Sequence, residues 1–141
     1  MLAVALLAAC SGGGSKGHRF TRDQYAAQAD GVCSKYKAKA DTLRLPSTLD
    51  GVVRVADQVL PLLANARGEL RKLRPPRNEE ATVNAWLDEF DVTIDDVKKI
   101  RAAAKKNDRR AVRSAAQPAL RHDERANEIA RQLGMTVCSK G

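Results

Sequence analysis

Aromatic side chains are scarce in this chain. Its 141 residues include two Phe, two Tyr and one Trp. A core without them must be filled by Ala, Leu, Val and Ile. That suits closely packed helices better than a sheet, whose strands favour aromatic and β-branched residues. Histidine is scarcer still, with only His18 and His122. No Glu is followed three residues later by His, so the di-iron site of ferritin-like bundles is not encoded. Neither C-x-x-C nor C-x-x-C-H occurs, which excludes a dithiol redox centre and covalent haem attachment. There is no G-x-S-x-G, P-loop or dinucleotide fingerprint. A single histidine outside the first twenty residues gives no convincing nucleophile and base pair. The expectation is therefore a non-catalytic protein without a cofactor or metal. No apolar run reaches the roughly 20 residues needed to span a bilayer. No strand-like alternation exceeds three residues, and no internal repeat is present.

What is present is helical periodicity, in four segments. In the first, Thr21 caps with Gln24 three residues on, and Phe20 and Tyr25 sit at the staple positions. Tyr25, Ala29, Val32, Tyr36, Ala40 and Leu43 then recur at helical spacing, and Pro46 closes the segment. The second is expected to start at Ser47, with Asp50 completing a capping box. Its stripe is Leu49, Val52, Ala56, Val59, Leu63, Ala66, Leu70 and Leu73, with alternating steps of three and four as in a bundle seam. Pro75 and Pro76 stop it. The third runs from about Asn78 to Lys106, with Val83, Leu87, Phe90, Ile94 and Val97 in line and Trp86 and Ile100 widening the stripe. Asn107 or Asp108 caps the fourth, which carries Val112, Ala115, Ala119, Ala126, Ile129 and Leu133. Gly134 follows as its C-terminal cap. Pro61 and Pro118 lie inside helices two and four and predict kinks. Short connections between long helices favour antiparallel neighbours. The expectation is an all-α, up-down-up-down four-helix bundle over residues 20–141.

The three cysteines are Cys10, Cys33 and Cys138. Cys10 follows an apolar stretch, Leu2 to Leu7, and two small residues, Ala8 and Ala9. A Gly/Ser-rich linker follows it, Ser11-Gly12-Gly13-Gly14-Ser15. Leu7-Ala8-Ala9-Cys10 resembles the lipobox of bacterial lipoproteins. That resemblance implies a signal peptide over residues 1–9, cleavage before Cys10, and a diacylglycerol on its sulfur. Two acyl chains give stable membrane anchoring where one gives only marginal binding. No Lys or Arg precedes Cys10, so a basic n-region is expected further upstream. The linker through Arg19 is a flexible coil with an r.m.s. span of about 15–18 Å. Lipidation of Cys10 leaves Cys33 and Cys138 as a pair, and export puts them where a disulfide persists. Closing a loop on the order of 100 residues is worth about 4–5 kcal/mol in the chain-entropy account.

The net charge is +8, and it is segregated along helix three. Glu79, Glu80, Asp88, Glu89, Asp91, Asp95 and Asp96 lie in a stretch without a base. Lys98, Lys99, Arg101, Lys105, Lys106, Arg109, Arg110 and Arg113 follow, interrupted only by Asp108. Acids at a helix start and bases at its end complement the macrodipole. An Asp95–Lys99 pair at i,i+4 adds to this. Arg109 and Arg110 at the start of helix four oppose its dipole. The macrodipole therefore does not account for them, and the cluster is a candidate anion- or partner-binding patch. Nucleic acid is not the expected partner, because no recognition motif or base-stacking aromatic set accompanies the charge.

The layout also resembles small helical lipoproteins of high-GC Gram-positive bacteria. These share an early Cys in the first helix and a closing Leu-Gly-x-x-x-Cys, here Leu133 to Cys138. The resemblance implies the cell envelope, outside the cytoplasm, but no activity. Two functions are expected from the residues. One is a lipid-anchored module that binds another envelope component, either an anionic polymer or a protein. The alternative is a carrier of a small apolar or haem-like ligand in the bundle core, near Pro61, Pro118 and His122. His122 falls in the helix-four stripe where an apolar residue is expected. It reads as a half-buried histidine with a satisfied partner, or as a ligand or proton-sensitive core group.

Overall fold

A computed structural model describes residues 18–140. The signal-like segment, Cys10 and most of the linker lie outside them. The described chain is all-α. It comprises α1 (Arg22–Ala40), α2 (Leu49–Leu70), α3 (Glu80–Lys105) and α4 (Arg109–Gln132), with short 3-10 turns at Arg77–Glu79 and Cys138–Lys140.

The helix ends follow local chemistry. The Thr21 hydroxyl accepts from the Gln24 amide and the Gln24 side chain accepts from the Thr21 amide, so α1 opens with a complete capping box. Helix α2 is capped by Thr48 and not by Ser47. Its hydroxyl accepts from Gly51 N–H at 3.0 Å. This one-residue shift puts Gly51 where a capping box would need an acid. The loop also packs there too closely for a side chain: a Cβ on Gly51 would lie 3.0 Å from the Pro46 Cβ. Asp50 stays in the first turn, where it complements the dipole. Of the two candidate caps for α4, Asp108 does the work, accepting from Ala111 N–H at 2.8 Å.

Asn107 instead closes α3. It adopts φ 55°, and the bonds Asp108 N–H to Ala103 O and Asn107 N–H to Ala104 O complete a Schellman motif. Gly134 does the same for α4 with φ 81°. There Met135 N–H bonds to Ala130 O and Gly134 N–H to Arg131 O, while Met135 is buried. Pro61 and Pro118 both sit inside helices that are continuous through them.

Ion pairs fix the direction of neighbouring helices. Arg67 of α2 meets Asp91 of α3, and Asp57 of α2 meets Arg101 of α3. Arg125 of α4 meets Glu89 of α3 at 2.9 Å, and His122 meets Asp96. Helices α2, α3 and α4 therefore run antiparallel in succession. The start of α1 lies beside the ends of α2 and α4. Phe20 N–H donates to Arg74 O at 2.9 Å, and the Arg22 guanidinium donates to Gln132 O.

The core is concentrated at that same end. Tyr25, Ala26 and Ala29 of α1 pack with Leu70, Val83, Trp86, Leu87 and Ala130 and with Leu133 and Met135 just after α4. The Trp86 and Phe90 rings meet edge to face, with centroids 5.3 Å apart. At the opposite end, where α2 begins, α3 ends and α4 begins, the buried residues are few and mostly small: Leu49, Gly51, Ala56 and Ala104. The stripes read from the sequence do face inward. Many of their members are only half-buried, because this end lacks the side-chain volume to close.

Candidate functional site

The C-terminal tail doubles back over α1, as the Cys33 and Cys138 positions require. The two cysteines form a disulfide, with their Cα atoms 5.3 Å apart. Asp30, one turn earlier on α1, holds the tail as well. One carboxylate oxygen accepts from the Val137 and Cys138 amides, both at 2.9 Å. The other accepts from the Thr136 amide at 2.7 Å and its hydroxyl at 3.0 Å. Burial alone would raise the Asp30 pKa. The hydrogen bonds outweigh it and leave the carboxyl below its ordinary value. A depressed carboxylate stabilises the fold above its unfolded pKa, so this contribution disappears as the pH falls through the folded value. Nothing in the sequence pattern marked Asp30. The signal that could have found it is its spacing of three from Cys33, on the same helix face.

Beneath the second half of α1 lies a pocket of about 220 Å3. Val59, Leu62, Leu63 and Ala66 of α2, Trp86 and Phe90 of α3, and Ala126 of α4 line it, and the Cys33–Cys138 bridge forms part of one wall. It forms because α1 buries residues only in its first half, Tyr25, Ala26 and Ala29. Beyond Cys33 its sequence is lysine-rich and offers Tyr36 and Ala40 as its apolar contribution to the pocket. The expected location beside Pro61 holds, since Val59, Leu62 and Leu63 flank that proline. The expected participation of Pro118 and His122 does not, because neither lines the pocket. Its lining includes no His or Met side chain.

His122 points instead toward α3, where its Nδ1 lies 2.6 Å from the Asp96 carboxylate. Asp96 is 2% exposed and also faces Lys99 at 3.6 Å. This is the satisfied, half-buried arrangement, and it resolves the apparent polar intrusion in the α4 stripe. Among the described residues, no group of three or more His, Cys, Asp or Glu side chains is placed to hold a metal ion.

The basic cluster divides into two parts. Lys98 pairs with Asp95 at 3.1 Å, Lys99 with Asp96, and Arg101 with Asp57. The expected Asp95–Lys99 pair is thus replaced by two i,i+3 pairs, since Asp96 is held inward between His122 and Lys99. Lys105, Lys106, Arg109, Arg110 and Arg113 are all exposed, and none enters an ion pair among the described residues. They surround the α3–α4 connection. The antiparallel pairing of α2 with α3 brings the α1–α2 connection to the same end. Exposed Arg44 and Arg54 therefore join it, two cations the sequence reading did not include. Leu45 beside them is 97% exposed.

No helix among the described residues is long and apolar enough to cross a membrane. The chain matches no protein-family model, no curated protein and no solved structure.

Proposed function

We propose that this protein is a lipid-anchored, non-catalytic module of the cell envelope, and that its basic end docks an anionic envelope polymer. The lipobox-like Leu7 to Cys10 supports anchoring and export. The observation that carries the docking is the fate of the eight clustered bases. Three are consumed in ion pairs within the bundle. The five around the α3–α4 connection are left exposed to solvent without a partner among the described residues. The macrodipole accounts for Lys105 in the last turn of α3 but not for Arg109 and Arg110, which oppose the α4 dipole.

Geometry favours a partner away from the anchoring bilayer. The described chain enters beside the end of α2, while the basic end lies at the far end of α3. That helix of 26 residues is about 39 Å long.

The test is binding of the mature protein to a soluble anionic wall polymer at two ionic strengths. Exposed charges are screened beyond about 10 Å at 0.1 M salt. Affinity should fall steeply with salt, and Lys105→Glu/Arg109→Glu/Arg110→Glu should reduce it at least tenfold at unchanged helix content. Equal affinity of the variant, or binding that tracks phospholipid vesicles or an acidic protein instead, would overturn the reading.

A further inference from the structure

The pocket under α1 is a second feature, independent of the basic end. Its size and lining restrict what it can hold. At about 220 Å3 it exceeds the roughly 150 Å3 cavity that takes a benzene molecule, yet falls below the roughly 300 Å3 at which drug-sized sites begin. Its deep wall consists of Val59, Leu62, Leu63, Trp86, Phe90 and Ala126. Two hydroxyls line it and both are committed, Thr93 to the Glu89 carbonyl at 2.9 Å and Tyr36 to the Glu69 carboxylate at 2.6 Å. A polar group at the bottom would therefore be desolvated without a partner, which is unfavourable by a few kcal/mol.

The mouth is polar. Lys37 Nζ is held by Asp41 at 3.1 Å, and Asn127 donates to Asp123 at 3.1 Å. Lys35 and Lys39 lie over the Tyr36 ring, with Lys35 held by Glu69. With Lys37 held by Asp41, the Asp123 carboxylate in the lining has no cation partner among the described residues and disfavours an anionic head group beside it. Access does not require breaching the core, because the helix half that walls the mouth contains no fully buried residue.

We propose that this pocket binds a single short alkyl chain whose head group carries no negative charge. Trp86 is the only tryptophan in the chain and lines the pocket, so its fluorescence reports occupancy directly. Titrating the full chain with straight-chain alcohols from butanol to decanol should give a saturable change. Each added methylene should tighten binding roughly fourfold until the pocket is full, after which affinity levels off. Octanoate at pH 7.5 should bind at least tenfold more weakly than octanol. Ala126→Phe and Val59→Phe place a ring in the cavity, and each should weaken octanol binding more than tenfold while circular dichroism is unchanged. Should either variant unfold, the chain-length series on the natural sequence still decides. No saturable Trp86 response, affinity that climbs without levelling off, or octanoate binding as tightly as octanol would each overturn the proposal.

Discussion

Tyr25 shows how much this small core rests on single residues. It is 1% exposed and sits where α1 meets the ends of α2 and α4. Its hydroxyl is buried, with no hydrogen-bond partner among the described residues, a state that costs on the order of 1–3 kcal/mol. Burial also pushes its pKa from 10.0 up to about 12. The raised value favours the neutral phenol in the fold. Its contribution is therefore fully present below pH 10 and is lost as the pH climbs through about 12. Tyr25→Phe should raise stability at neutral pH by about 1 kcal/mol, because the ring packing stays and the unpartnered hydroxyl goes. The same variant should flatten the alkaline decline between pH 10 and 12. Urea melts at pH 7 and pH 11 would check both. Other residues at this scale were plain in the sequence. Thr21 with Gln24, and Gly134 after Leu133, are local signals whose partners lie within a few positions. Asp30 was not plain, since its partners on the tail are more than a hundred residues away.

The helices divide into a well-packed half and a thin one. Trp86, Leu87, Leu70 and Tyr25 close the half where the chain enters. The turn between α3 and α4 is surrounded by like charges, with Ala104 as the buried residue nearest it. Segments with few buried apolar contacts open locally at low free-energy cost. Amides of residues 105–117 should therefore exchange with deuterium at least tenfold faster than those of 83–92. Equal protection along α3 would contradict this. Periodicity identified all four helices because each stripe persists for several turns. It located the ends only to within a few residues: α1 stops at Ala40, well short of Pro46, and the Arg77–Glu79 turn precedes α3. The pocket was legible only in outline. Periodicity shows which face is apolar, but not that the second half of α1 brings too little volume to fill the space beside Pro61.

At the scale of the whole molecule, the disulfide and the charge distribution give the bundle two unlike ends. Cys33–Cys138 and the buried cluster tie the two ends of the described residues to one end of the bundle. The bases of the cluster without a partner among the described residues gather at the other, joined by Arg44 of the α1–α2 connection and Arg54 of α2. The cysteine count predicted the first of these. The second needed three dimensions, because Arg44 and Arg54 are distant in sequence from Lys105 and meet its level only when α2 pairs antiparallel with α3. An end where the described chain enters and an opposite end rich in unpartnered bases suit the proposed module, which would reach from a surface toward a polyanion. The most direct test is site-specific photocrosslinking of the full chain in intact cells, with the photoreactive group at position 106 and, for comparison, at position 78. The account predicts an anionic polymer captured at 106 but not at 78, and its loss when Lys105, Arg109 and Arg110 are changed to Glu. Equal capture at both positions, or capture that survives the charge reversal, would contradict it.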